Sequence, residues 1–154
     1  MKSHIPTKIY SICVLLMLSV YSCQKISSID ETKGLANTDR YYSSLSAVKG
    51  RNTAFLAMFD SSGVTLASHR PPVVGFNEIK KLILSTNDNS FTLTWEPKFA
   101  RIAISGELGY TYGTYKLLNK TTKAISEGTY TTFWQKNAQG KWKALLDTGN
   151  EGLK

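Results

Sequence analysis

The sequence predicts an α+β domain in which N-terminal helices pack on a curved, mostly antiparallel sheet and enclose a cone-shaped pocket. Two observations carry this. Residues 108–150 hold three strand-like runs rich in Tyr, Thr and Trp (LGYTYGTYKLL, EGTYTTFWQKN and KWKALLDTG) joined by short polar connections. A helix-forming half precedes them, and an amphipathic helix needs an apolar surface to lie on. A sheet curling round that half would line the space between them with aromatic and hydroxyl side chains, the make-up of a small-ligand pocket.

Residues 1–22 read as a lipoprotein signal peptide. Lys2 and Lys8 form a basic start, Ile9 to Val20 is an apolar run, and Val20-Tyr21-Ser22-Cys23 closes it. The run is too short for a membrane-spanning helix, which needs roughly 20 apolar residues. The small residue before Cys23 resembles a bacterial lipobox, which implies acylation of the Cys23 thiol as the first residue of the mature chain. An ordinary secretory signal cleaved nearby is the alternative. Apart from Cys13, inside the leader, Cys23 is the only cysteine. A lipidated Cys23 leaves no thiol, so disulfides and thiolate metal sites are excluded.

The mature chain would hold 132 residues, one domain's worth and enough to bury a core without staples. Residues 23–37 are polar without a sustained period and read as a tether; the domain is predicted over 38–152. Tyr41, Leu45, Val48, Asn52, Phe55 and Phe59 recur at three- and four-residue spacing. They predict an amphipathic helix with Thr38 or Asp39 as N-cap, weakened at Gly50. Ser61-Ser62-Gly63 ends it, and Val64 to Leu66 reads as a short strand. Pro71-Pro72 forces an extended segment. A second helix follows from Gly75 with Phe76, Ile79, Leu82 and Ile83 on one face. Phe91, Leu93 and Trp95 alternate with polar residues as a strand, and Pro97 predicts a bend or bulge. Hairpins are predicted at Ser105 to Glu107, Asn119 to Lys123 and Asn137 to Gly140.

Lys2 and Lys8 leave with the leader, taking the formal charge from +8 to +6 (17 basic against 11 acidic side chains). The basic residues are scattered, with Lys80-Lys81 the longest run, so no clustered face for nucleic acid exists. Weak attraction to anionic lipid accounts for the same surplus. The sequence contains no phosphate loop, nucleophile elbow, calcium loop or metal-spaced histidine cluster, and no cofactor or metal is expected.

The strings AFLAMFDSSGVTL, PPVVGFNEIKKL, LTWEPKFARIAISGELGYTYGTY and GTYTTFWQKNAQGKWKALLDTGN, in that order, resemble the SnoaL-like and ketosteroid-isomerase-like domains of the nuclear transport factor 2 superfamily. The likeness is greatest to the subgroup called domain of unknown function 4440. The resemblance implies a cystatin-like cone and a homodimer formed through the outer face of the sheet. It does not transfer a reaction. Matching the Pro-Pro-x-x-Gly motif places the isomerase base carboxylate at Leu66, and no acidic residue lies between Asp60 and Glu78. The second isomerase acid falls near Ser126.

Seven residues are candidates for the site. His69 is the sole histidine of the mature chain and could act in acid–base chemistry at the cavity mouth, or be a solvent-exposed loop residue. Asp147 would be a desolvated carboxylate in an aromatic cavity, or a strand-end group bonded to a neighbouring hydroxyl. Asn52 lies on the apolar stripe of the first helix, where a polar group needs a partner. Trp95, Tyr112, Tyr130 and Trp134 are expected to line the cavity in some inward combination, although strand propensity and core packing also explain aromatics here. A bulge near Pro97 or Gly113 would exchange the faces. The leading expectation is a non-enzymatic module binding a small, partly apolar molecule. An enzyme using His69 or Asp147 as acid or base, and an interaction domain of an envelope complex, are the alternatives.

Overall fold

A computed structural model of the chain describes residues 30–152. The expected signal peptide, Cys23 and the first part of the expected tether lie outside the described residues.

Two helices open the domain, α1 (residues 30–49) and α2 (Arg51–Met58), followed by strands β1 (Phe59–Leu66) and β2 (Val73–Val74). Helix α3 (Phe76–Leu84) and a 3-10 turn (Asp88–Ser90) lead into four long strands. These are β3 (Phe91–Ile102), β4 (Leu108–Asn119), β5 (Ile125–Lys136) and β6 (Trp142–Glu151). The sheet order is β2-β1-β6-β5-β4-β3. Every pairing is antiparallel except β1 with β6. This is the expected α+β class, with helices on one face of a curved, unclosed sheet. The three hairpins fall where the turn residues predict. Gly106 and Gly140 take positive φ, and the Asn119 side chain accepts from the Thr121 and Thr122 amides.

The first helix departs from the sequence reading in four ways. It is already helical at residue 30, the first described, so 30–37 of the expected tether belong to the domain, and Leu35 is wholly buried in the core. It is interrupted at Gly50 (φ 90), where a Cβ would collide with the Asp88 carboxylate that accepts from the Asn52 amide at 3.0 Å. Asp88 thereby supplies the first turn of α2 with a cap from a distant loop. Its buried face is also not the predicted stripe. Tyr41 and Val48 are 60% and 76% exposed, whereas Asp39, Ser43 and Ser46 are buried. Phe59, placed at the helix end by its spacing, and Ser61 to Gly63 instead begin β1.

That polar face docks on the outer edge of β3. The Ser43 hydroxyl donates to the Trp95 carbonyl at 2.6 Å and accepts from the Trp95 amide at 2.8 Å. Ser46 donates to the Leu93 carbonyl at 2.7 Å. An edge strand left unpaired would expose these groups, so the helix side chains replace a missing neighbour strand. Asp39 is not a cap. Its carboxylate accepts from the Trp95 indole N–H at 2.6 Å and from the Tyr130 hydroxyl at 2.7 Å. Thr111 bonds it as well, and itself accepts from the Trp134 indole at 2.8 Å. Burial pushes the Asp39 pKa up, opposed by these hydrogen bonds.

Two bulges set which side chains face the helices. One lies between Pro97 and Phe99, where β3 gains a residue against Gly113 and Tyr112 of β4. Gly113 allows the strands to meet there, because a Cβ would strike the Glu96 backbone. The other places Leu145 between Ala144, opposite Trp134, and Leu146, opposite Phe133. Each bulge exchanges the faces beyond it. Without the second, Asp147 would have the opposite parity to Ala144 and would point away from the helices.

Replacing Asp39 by Ala should cost about 2–4 kcal/mol, because two buried donors, the Trp95 indole and the Tyr130 hydroxyl, lose their acceptor. Urea denaturation followed by tryptophan fluorescence would read it. A loss below about 1 kcal/mol would mean that these donors find other partners.

Candidate functional site

Between the helices and the concave face of the sheet lies a cavity of about 520 Å³. Phe55 and Met58 of α2, Leu66 of β1, Leu93 of β3 and Leu117 of β4 supply its apolar walls. Phe55, Trp95 and Tyr130 meet edge to face, with ring centres 5.9 and 6.4 Å apart, and form an aromatic corner. Beside that corner, Thr132 and Asp147 are cross-strand partners and share the inward face. The Thr132 hydroxyl donates to Asp147 Oδ2 at 2.7 Å. His69, Gly149 and Glu151 stand on the exposed rim.

Burial pushes the Asp147 pKa up to about 6. The Thr132 hydrogen bond opposes this shift and the nearby Asp39 charge adds to it. Burial also raises the Tyr130 hydroxyl, reinforced by Asp39. At the rim, Tyr115 is raised by burial and by the charge of Glu151.

The candidates divide cleanly. Trp95, Tyr130 and Asp147 come together on the cavity floor, and His69 reaches the mouth. His69 is exposed and adopts φ 63, a backbone conformation uncommon for a residue with a Cβ. Asn52, Tyr112 and Trp134 do not line the cavity. The Asn52 carbonyl is held by Arg51 at 2.7 Å and its amide donates to the Thr86 carbonyl at 3.3 Å, so its partner is the junction of α2 with the loop after α3. Tyr112 pairs with Thr131 and stacks on Phe99 at 5.3 Å on the outer face, one residue out of step with Tyr130, which faces Gly113. Trp134 is inward but fully buried, stacked on Tyr42 with centres 6.0 Å apart. It belongs to the core beneath α1.

Asp39 and Thr132 were not read as site residues from the sequence. Asp39 resembles a helix cap, and nothing near it in the chain announces the indole and phenol that it meets. Thr132 could have been found from its two-residue spacing to Tyr130, which puts both on one strand face. Leu66, where the resemblance places the isomerase base, does line the cavity, and Ser126 is exposed outside it. Among the described residues, no group of three or more His, Cys, Asp or Glu side chains is placed to hold a metal.

The outer face carries a second apolar hollow of about 590 Å³, formed by Val64, Leu108, Tyr110, Phe133 and Leu146 among others. Phe99, Tyr112, Tyr110 and Phe133 make a connected row of rings beside it.

No protein-family model matches the chain, and no curated protein matches it. Solved structures do. A ketosteroid isomerase-like protein from Erwinia carotovora atroseptica superposes with a TM-score of 0.61 at 17% identity, over 79% of this chain and 96% of that one. A domain of unknown function with a cystatin-like fold from Nostoc punctiforme gives 0.65 at 15%, over 81% and 79%. A nuclear transport factor 2-like protein with a cystatin-like fold from Novosphingobium aromaticivorans gives 0.64 at 11%, over 87% and 88%. The chain therefore has the cystatin-like fold of nuclear transport factor 2-like proteins. At these identities the likeness extends to fold alone.

Asp147 gives this site a measurable signature. A carboxyl whose pKa rises on folding is harder to ionise in the folded state, so folding is opposed increasingly from about pH 4 and fully above about pH 6. Asp147→Asn keeps an acceptor for Thr132 and removes the charge. It should stabilise the protein by about 1–3 kcal/mol at pH 7.5, with the difference vanishing near pH 4. Urea melts at the two pH values would show this. Equal stability at pH 7.5 would mean that the carboxylate is already well solvated.

Proposed function

We propose that the chain is a non-enzymatic binding module that holds a small, partly apolar molecule in its cone-shaped cavity. The observation that supports this best is the composition of the cavity. Aliphatic and aromatic side chains make most of its wall, and Thr132 and Asp147 sit bonded to each other beside the aromatic corner, while His69 and Glu151 stand at the rim. Such a site gains affinity from area, roughly 25 cal/mol per Å² of apolar surface removed from water, and takes orientation from the polar corner. Leu66 at the position of the isomerase base argues against carbon-acid chemistry of the steroid-isomerase kind.

An enzyme remains the second reading because one observation favours it: Asp147, with its pKa pushed up to about 6, sits in the cavity. Acid–base work needs two ionisable groups converging on one point. The neighbouring Tyr130 hydroxyl already gives its hydrogen to Asp39, and His69 lies on the exposed rim. A third reading, an interaction domain of an envelope complex, draws support from the apolar outer hollow.

Native mass spectrometry of the protein purified from its own envelope should find a co-purifying small molecule. Leu117→Trp, which fills the cavity, should abolish its retention. A thermal-shift screen across metabolites should find ligands that raise the Tm by about 2–4 °C or more, as a contribution near 1 kcal/mol does in a domain of this size. Neither retained ligand nor shift would leave the binding reading without support.

The reading includes a location and an assembly. Cys23 carries the lipid anchor and holds the domain in the cell envelope, on the periplasmic side, while two copies pair through the outer sheet face. Cys23→Ala should release the chain from the membrane fraction, and the released protein should show twice the monomer mass in light scattering. Unchanged fractionation would remove the anchor from the proposal, and a monomer mass would remove the pair.

A further inference from the structure

We infer that the cavity selects a cationic ligand: a molecule whose protonated amine seats on Asp147 within the Trp95–Tyr130 corner and whose apolar body lies along Met58, Leu66, Leu93 and Leu117. The inference rests on the binding reading above and specifies the class of ligand.

The first support is an inventory of hydrogens. On the cavity floor, the Tyr130 hydroxyl donates to Asp39 at 2.7 Å and the Trp95 indole N–H donates to Asp39 at 2.6 Å. The Thr132 hydroxyl donates to Asp147 Oδ2 at 2.7 Å. Each polar hydrogen of these side chains is therefore committed to a carboxylate. What the floor presents to the cavity is the opposite set: the Tyr130 and Thr132 oxygen lone pairs and Asp147 Oδ1. That oxygen accepts no hydrogen bond from the described residues. The remaining hydroxyls of the lining, on Thr65, Ser68, Thr148 and Tyr115, rotate to suit either partner and impose no sign. A floor made only of acceptors binds a donor. An anion there would meet lone pairs and a negative charge with nothing to offset its desolvation.

The second support is charge. The whole chain carries a formal +8, yet neither lysine nor arginine lines this cavity. Its charged residues are Asp147 and Glu151, with His69 on the rim. The local sign is thus opposite to that of the molecule, which points to the ligand rather than to bulk solubility. Third, the aromatic corner suits the same group. Phe55, Trp95 and Tyr130 present ring faces and edges in a desolvated space, where a cation over a ring is worth more than at an exposed site. A carboxylate flanked by rings satisfies both halves of an alkylammonium head.

Binding should be linked to protons. The ionised form of Asp147 is the one that pairs with an amine, so affinity should fall as pH drops through about 6. The titratable groups that act on Asp147 or share its cavity are Asp39 from α1, Tyr130 from β5, Tyr115 from β4, Glu151 from its own strand and His69 from the β1–β2 connection, and Thr132 of β5 is its hydrogen-bond partner. Helix α2 and strand β3 offer only Phe55, Met58, Leu93 and Trp95. Of these, the histidine is the one basic side chain. A His69→Ala background assigns the pH effect to the carboxylates.

The test uses the intact chain and three probes of one shape: 3-phenylpropylamine, 3-phenylpropanol and 3-phenylpropionate, titrated by calorimetry at pH 7.5 and pH 5. At pH 7.5 the amine should bind at least tenfold more tightly than the alcohol, and the propionate should not bind. The preference for the amine should shrink at least fivefold at pH 5, in the His69→Ala background as well. Asp147→Asn should remove the preference, bringing the amine's affinity down to that of the alcohol. Thermal unfolding of that variant checks that it is folded. Equal binding of amine and alcohol, or tighter binding of the propionate, would overturn the inference and leave the binding reading standing. Binding of none of the three, with no ligand from the metabolite screen, would remove both.

Discussion

The buried carboxylate of Asp39 is the point on which the inner half of this molecule is organised. It is fully buried and would be prohibitively costly alone, since an unpaired charge or acid in that position has no water to turn to. Its cost is met by the Trp95 indole, the Tyr130 hydroxyl and Thr111, which come from three different strands. One side chain on α1 therefore fixes the relative positions of β3, β4 and β5. Ser43 and Ser46 extend the seam along the edge of β3, where backbone groups would otherwise lack partners. Hydrogen bonds thus hold this helix to the sheet beside the apolar burial of Leu35 and Tyr42.

The character of the cavity follows from that seam. Because Tyr130 and Trp95 turn their hydrogens toward Asp39, they show rings and lone pairs to the cavity. Were Asp39 apolar, the same two residues would have unpaired hydrogens, and the floor would no longer be made of acceptors alone. The bulge at Leu145 then brings Asp147 onto the same face and sets it opposite Thr132. The nearby Asp39 charge adds to burial in disfavouring its ionisation. Two acids separated by a tyrosine thus give a basic protein an acidic pocket. A carboxylate held in this way lowers stability at neutral pH, a pattern expected of groups kept for what they bind.

The two faces of the sheet serve different ends. The inner face alternates small and large residues, with Gly113 opposite Tyr130 and Gly149 on its other side, which makes room both for close strand approach and for the rings. The outer face carries Phe99, Tyr110, Tyr112 and Phe133 as a continuous row, partly exposed. Bulges in β3 and β6 move residues from one set to the other, so a single inserted position in each strand decides which aromatics meet a ligand and which meet another surface.

By itself the sequence determined the α+β class, the succession of helix, short strand, second helix and four antiparallel strands, the hairpin positions and the bulge after Pro97. These depend on turn chemistry and period-two alternation, which are local. It also brought Trp95, Tyr130 and Asp147 into the list of site residues, because strand aromatics and a lone acid after an apolar run can be seen in a short window. Only the tertiary structure decided the rest. Tyr112 left the cavity because register sets Tyr130 against Gly113 one residue away, and register is a relation between strands. Asn52 left it because Arg51 and the loop after α3 claim its amide. The true face of α1 was illegible because Asp39, Ser43 and Ser46 read as a solvent-facing stripe unless the strand edge they satisfy is known. Apolar periodicity reports burial against apolar surface, and this helix is buried against backbone and indole donors from residues more than 50 positions away.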